Sequence, residues 1–329
     1  MFCKSRALTG TVVLSAAALL SACGGGGGSD SGVTASAPVA VTSANAGQVA
    51  GAGVNASDGL TGNTQGILGI VPAGLGSGSP TDVNVVETLI EYIRNAPQYP
   101  DAGVQPAAVL NENQNCDSGN ISVSFNDADN NLSLSTGDSV TMTANNCVLS
   151  GVMIDGSISM GSVVVSGDQF APPYSLQFSL QTAGFSVSAG AETVSMRGAG
   201  TISELSNDGV SFTSSFTGSG IEITAGGETL SLTNYLITET ENQATGAYSY
   251  AINATISSTS LGGSVQVTTE VTFSGTDPLD PDSGKLVCVG AGNTSVTLTV
   301  IDSDNVQLDV DSDGDGIVDA TLMETWSSL

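Results

Sequence analysis

Four carboxylates crowd into nine residues near the end of the chain: Asp311-Ser312-Asp313-Gly314-Asp315-Gly316-Ile317-Val318-Asp319. Three of them alternate, at 311, 313 and 315, and the fourth stands at 319. Alternate side chains of a tight loop converge on one centre, and Gly316 permits the sharp turn that convergence needs. Asp-Gly pairs by themselves form hairpin turns. A turn, however, does not require four acids, whose mutual repulsion opposes the loop in the absence of a counterion. The chemistry on offer is the binding of a divalent cation by oxygen. The rest of the chain points away from catalysis. It contains no histidine, which removes the commonest general base and the commonest transition-metal ligand and excludes any Ser-His-Asp or Cys-His site. No glycine run sits between a strand and a helix as a phosphate loop requires. Two carboxylates suffice for a glycosidase, but nothing singles out a pair, and the chain has one Trp for stacking on sugars. A protein that is not an enzyme is expected.

The acidic spacing resembles the calcium loops of EF-hand, dockerin and thrombospondin type 3 repeats. Carried over residue by residue, the resemblance implies direct ligation by Asp311, Asp313 and Asp315. Ile317 gives its backbone carbonyl, and Asp319 acts directly or through water. The chain departs from that pattern at position 12, where the bidentate acid is replaced by Leu322. It departs also at the flanks, because Val306–Val310 and Ala320–Trp326 read as strands rather than helices. The implied ion is Ca²⁺ in a stabilising role, with affinity on the order of 10⁻⁴–10⁻³ M, as in extracellular modules.

The cysteines are the other reactive residues. Lys4 and Arg6 precede an apolar run from Ala7 to Ala22, the layout of a secretory signal peptide. The run is shorter than the ~20 apolar residues of a membrane span and is interrupted by Thr9, Gly10, Thr11, Ser15 and Ser21. Leu20-Ser21-Ala22-Cys23 resembles the lipobox of bacterial lipoproteins. The resemblance implies cleavage before Cys23, lipidation of Cys23 and, with Gly24 rather than Asp next in line, sorting to the outer membrane of a Gram-negative cell. Several acyl chains hold a protein on a bilayer without a spanning helix. The periplasmic and the cell-surface faces remain equally open. Export permits disulfides, and Cys116, Cys147 and Cys288 stay in the mature chain.

Cleavage leaves three basic against 32 acidic residues, a net charge of -29. Nucleic acid is not a plausible partner for such a surface, and the membrane is reached only through the lipid. Charged residues are still only 11% of the chain, too few for an acidic disordered protein.

The positioning elements fall into three segments: a signal peptide at 1–22, a lipidated Gly/Ser/Ala-rich tether at 23–80, and a folded body at 81–329. A coil of the tether's length reaches roughly 40 Å. Within it, Thr42 to Ala56 is weakly helical in pattern, but Gly47, Gly51 and Gly53 argue against a helix. The helix of the body is expected over Pro80–Asn95, where Val86, Leu89, Ile90 and Ile93 form one apolar stripe. From Asn120 onward the period is two. Ile121-Ser-Val123-Ser-Phe125 opens a series that runs to Val296-Thr-Leu298-Thr-Val300 and Val306-Gln-Leu308. Such alternation predicts antiparallel strands with one apolar face. About a dozen strands joined by hairpin turns make an all-β, up-and-down sheet that is strongly curved or barrel-like.

Cys116 precedes the strand at Ile121–Phe125 and Cys147 follows the one at Val140–Thr143. If the two form one hairpin, with Asp127–Gly137 as its wide end loop, the cysteines meet and bond. A full strand at Leu132–Leu134 between them would separate the sulfurs. The hairpin and its disulfide are the expected arrangement, with Cys288 free as a small buried hydrophobe. Function then divides into two classes. One is an envelope scaffold, structural or binding another envelope protein or a polysaccharide. The other is a carrier whose curved sheet encloses a hydrophobic small molecule. An integral outer-membrane barrel is a further alternative, disfavoured by aromatics of only 5%. An interior filled by Phe125, Phe178, Phe185, Phe212, Phe216, Tyr250 and Phe273 would favour the scaffold.

Overall fold

The computed structural model describes residues 32–61, 108–131, 134–149, 151–168, 171–190 and 192–329. The described chain comprises one α-helix, α1 (Ala46–Thr61), and 14 strands. The first strands are β1 (Ala108–Asn115), β2 (Ser118–Asp127), β3 (Ser139–Leu149), β4 (Val152–Asp168) and β5 (Ala171–Ala189). Then follow β6 (Glu192–Ser206), β7 (Ser211–Ala225), β8 (Glu228–Asn242), β9 (Ala247–Ser258) and β10 (Gly263–Thr276). The last are β11 (Ser283–Val289), β12 (Ser295–Val300), β13 (Asn305–Asp311) and β14 (Ala320–Thr325). Their order in the sheet is their order in sequence, every described pairing between them is antiparallel, and β1 and β14 are not joined. The expected all-β, up-and-down fold is therefore present as an open sheet.

The alternation produces the core directly. In β12, Val296, Leu298 and Val300 are buried while Ser295, Thr297 and Thr299 are not. The register sets Leu298 between Leu286 of β11 and Leu308 of β13, and Val296 between Cys288 and Val310. One face is thus continuous across strands, at roughly 1.5–3 kcal/mol for each aliphatic side chain fully buried. Hairpin turns carry the chemistry that their geometry demands. Gly226 and Gly227, both at positive φ (58° and 84°), close the two-residue β7–β8 turn.

Two observations establish that the sheet curls. Phe273 of β10 and Trp326, one residue past β14, have ring centroids 6.2 Å apart. Four strand spacings in a flat sheet would separate them by about 19 Å. The helix α1 likewise touches strands from β8 to β13, although a helix is only about 10–12 Å across. The sheet wraps round it.

This helix corrects the expectation of a coil tether over its residues. Val41, Ala46, Val49, Ala50 and Val54 are buried in the same core as the strands. The glycines that argued against a helix are what let it sit so close. A Cβ on Gly53 would lie 2.7 Å from Leu286 Cδ2 and 3.2 Å from Val267 Cγ1, and one on Gly51 would lie 2.3 Å from the Leu329 carbonyl oxygen. Packing of the helix on the sheet outweighs about 1 kcal/mol of helix propensity lost per glycine. The segment before it is also attached: Val39 N–H donates to Ser264 O (3.0 Å), and Ser264 N–H donates to Ala37 O (2.9 Å). The helix expected over Pro80–Asn95 lies outside the described residues.

Strands β2 and β3 are direct neighbours, so no strand intervenes between them, and Cys116 and Cys147 are disulfide-bonded with Cα atoms 5.4 Å apart. Cys288 is free and buried. Burial pushes its thiol up to about 12, and it faces the Val49 carbonyl of α1 at 3.8 Å.

Candidate metal centre

The acidic loop connects β13 to β14. Antiparallel pairing brings Val310 opposite Ala320, and the nine residues from Asp311 to Asp319 span the turn at that end. Asp311, the last residue of β13, is buried, whereas Asp313 and Asp315 are exposed. The turn folds around their carboxylates. Asp311 accepts the Gly314 N–H on Oδ1 (2.7 Å) and the Gly316 N–H on Oδ2 (2.8 Å). Asp313 accepts the Asp315 N–H (3.2 Å), and Asp315 accepts the Ile317 N–H (2.8 Å). These are side-chain turns of the kind Asp favours. Gly314 has φ 77°, and a Cβ there would stand 2.2 Å from the Gly292 carbonyl oxygen, so only glycine fits.

Of the expected ligands, Asp311, Asp313 and Asp315 each bring one carboxylate oxygen to within 4.8 Å of the others. Asp319 belongs elsewhere in this arrangement: its Oδ2 accepts both the Ser312 hydroxyl (2.6 Å) and the Ser312 N–H (2.8 Å). Those bonds, the hydroxyl first, hold its carboxyl below the usual range. The Ile317 side chain points to solvent, 67% exposed. Leu322 at position 12 pairs with Leu308 inside the β13–β14 ladder. The strand continues where the resembling loops begin a helix, and it removes the place for a bidentate acid. What remains can offer a cation three carboxylates from one side. Cys23 lies outside the described residues.

A second acidic group lies at the β2–β3 tip, where the sequence marks only a wide end loop at Asp127–Gly137. Asp127, Asp129 and Asp138 also bring carboxylate oxygens within 4.8 Å of one another, with Asp127 and Asp138 fully buried. Asp127, Asp129 and Asn131 alternate as Asp311, Asp313 and Asp315 do, and that spacing was the available signal. Comparison of the chain with protein families, with characterised proteins and with solved structures finds no match.

Proposed function

We propose that the protein is a lipid-anchored component of the cell envelope, held on the outer membrane through Cys23. Its calcium-stabilised β body serves as a structural or macromolecule-binding scaffold rather than as an enzyme. The observation that carries the scaffold reading is the filling of the sheet's inner face. Phe125, Phe178, Phe185, Phe216, Tyr250 and Phe273 are all buried in one core cluster, and only Phe212 of the expected set stands partly outside it. A carrier would need that volume for its ligand. The open sheet supports the anchored reading over the integral barrel, because a bilayer does not tolerate exposed strand edges. The three converging carboxylates support Ca²⁺ as the ion, since hard oxygen donors suit it and it accepts irregular geometry.

Metabolic labelling with a palmitate analogue tests the anchor. The wild-type chain incorporates label and Cys23→Ser does not, leaving unprocessed precursor; equal labelling of both would overturn the lipidation. Mass spectrometry of the purified body tests the scaffold, with no stoichiometric apolar molecule expected. A co-purifying lipid held inside the sheet would restore the carrier.

A further inference from the structure

The sheet ends at β14, and among the described residues nothing pairs with its outer edge. Trp326 N–H donates to Asp304 O (3.2 Å). The register carries that bonded pairing, two residues at a time, to Glu324 opposite Val306 and Leu322 opposite Leu308. The alternate residues Thr321, Met323 and Thr325 therefore turn their backbone groups away from β13. Ser328 takes those of Thr325: its Oγ accepts the Thr325 N–H (3.0 Å) and donates to the Thr325 carbonyl (2.6 Å). Thr321 and Met323 keep their N–H and C=O groups on the open edge, and both residues are exposed. Edges of this kind are ordinarily blunted by Lys, Pro or a bulge. Strand β14 contains neither Lys nor Pro, and its ladder with β13 has no register break.

Charge selects what can pair there. At one end of β14 stand Asp313, Asp315 and Asp319, all exposed. At the other, Asp302 and Asp304 are exposed and are joined to the strand through Trp326, whose indole N–H also donates to Asp302 O (3.3 Å). Glu324 adds a half-buried carboxyl near that end. The cations of the described residues, Arg197 and Lys285, lie on β6 and β11 and are paired with Glu222 and Glu270, each at 2.7 Å. A divalent ion in the acidic turn would still leave half of its four negative charges uncompensated. We propose that the β14 edge binds an extended basic segment of a partner protein, added to the sheet as a further strand. The edge groups of Thr321 and Met323 hold its backbone. Lys or Arg on either side of a core of about six residues, roughly 17–20 Å apart along the strand, meet the two acidic ends. A second copy of this chain offers the same backbone but brings the same acids with it. The inference deepens the scaffold reading, on which it rests for there being a macromolecular partner. Failure of a peptide to bind would leave the palmitate labelling and the lipid analysis as they are, so the two readings fall separately.

The probe is the peptide acetyl-Lys-Arg-Thr-Val-Thr-Val-Arg-Lys-amide, titrated into the mature chain in millimolar Ca²⁺ and followed by amide-exchange NMR. Its counterpart carries Glu for every Lys and Arg. In the free protein the Leu322 and Glu324 amides should be protected, while those of Thr321 and Met323 exchange freely. Saturating basic peptide should slow the Thr321 and Met323 amides, and the acidic counterpart should not. Added salt should weaken the basic peptide several-fold. Met323→Pro removes an edge N–H and leaves the ladder to β13 whole; it should weaken the peptide roughly tenfold, about the worth of one backbone hydrogen bond. Asp304→Asn/Glu324→Gln preserves shape and should weaken it several-fold, so the test survives if the proline variant fails to fold. Thr321 and Met323 amides already protected in the free monomer would overturn the proposal, because the chain would then cover its own edge. Protection that grows with protein concentration alone, with a dimer in sedimentation, would give the edge to a second copy. Equal binding of the acidic counterpart, unchanged affinity in both variants, or no saturable protection would leave no site for a basic strand.

Discussion

The β2–β3 and β13–β14 hairpins end in turns built from the same residue, and they use it in opposite ways. At the β2–β3 tip, Asp127 and Asp138 are wholly inside. Asp138 spends both oxygens on the protein, accepting the Ala128 N–H on one (2.8 Å) and the Ser135 N–H (2.6 Å) and hydroxyl (3.1 Å) on the other. At the β13–β14 tip only Asp311 is buried, and Asp313 and Asp315 face water while converging on each other. A buried carboxylate must find donors in the chain or it destabilises the fold, so the first turn is held by the acid itself. In the second turn Asp311, Asp313 and Asp315 also accept backbone N–H bonds, but their convergence at the surface leaves a repulsion that a counterion would relieve. Acid spacing alone does not distinguish these cases; burial does.

The largest effect available for testing this contrast lies at the other end of the β2–β3 hairpin. The Cys116–Cys147 bond closes a loop with a sequence separation of 31, and its loss should cost about 3–4 kcal/mol by loop entropy. Cys116→Ala/Cys147→Ala should therefore lower the denaturation midpoint strongly, and reduction of the wild type should do the same. A midpoint unmoved by reduction would mean that the acidic tip alone holds the hairpin.

The tip itself comes next. Asp138→Ala leaves the Ala128 and Ser135 N–H groups without their acceptor, a loss of about 2 kcal/mol for bonds to a charged group. The cost should be the same with and without Ca²⁺ if backbone donors are what this carboxylate serves. A cost that appears only in Ca²⁺ would erase the distinction between the two turns.

The β13–β14 turn should behave conversely. A site of millimolar affinity at about ten times its Kd adds about 1.4 kcal/mol by mass action, a few degrees of melting temperature for a body of this size. Ca²⁺ should therefore raise the wild-type melting temperature. Asp313→Ala/Asp315→Ala should abolish the rise while changing stability little in chelator, because Asp311 still accepts its two glycine N–H groups. Equal rises in wild type and double variant would reduce the loop to an ordinary turn.

The contrast also marks how far the sequence could be read. The alternation in β12 and β13 was legible because polar residues fill the outward positions, Ser295, Thr297 and Thr299 in β12 and Asn305, Gln307 and Asp309 in β13. The disulfide was legible because each cysteine flanks a clear strand. Strand β4 was not. Gly156 at φ 101° and Ser162 at φ 51° sit by breaks in its register against neighbouring strands, and each break shifts the face that following residues present. Helix α1 was hidden for another reason: local propensity penalises Gly53, and only the presence of Leu286 and Val267 from strands over 200 residues away makes glycine the residue required there. In the acidic loop, the spacing revealed Asp311, Asp313 and Asp315. It could not reveal that Ser312 captures Asp319, since that depends on how the turn folds back on itself.

That capture gives the smallest effect. Asp319 accepts the Ser312 hydroxyl and N–H, and its folded carboxyl is held below the usual value. A lowered folded value means that the ionised form is favoured by folding. The contribution is thus complete above the unfolded value of about 3.9 and is lost as pH falls through the folded one. It lies wholly in the acid range and leaves stability near neutrality flat. Ser312→Ala removes the largest of the lowering causes and keeps the backbone donors. The Asp319 titration, followed by carboxyl ¹³C NMR in chelator, should rise toward the ordinary carboxylate value without reaching it, and Ca²⁺ should then lower it further in the variant than in the wild type. The reason is competition: a carboxylate released from Ser312 is free to turn toward the ion, directly or through water. A variant whose Asp319 titration ignores Ca²⁺ would confine the site to Asp311, Asp313 and Asp315. An unchanged titration after Ser312→Ala would mean that the backbone N–H, not the hydroxyl, sets the carboxyl's charge.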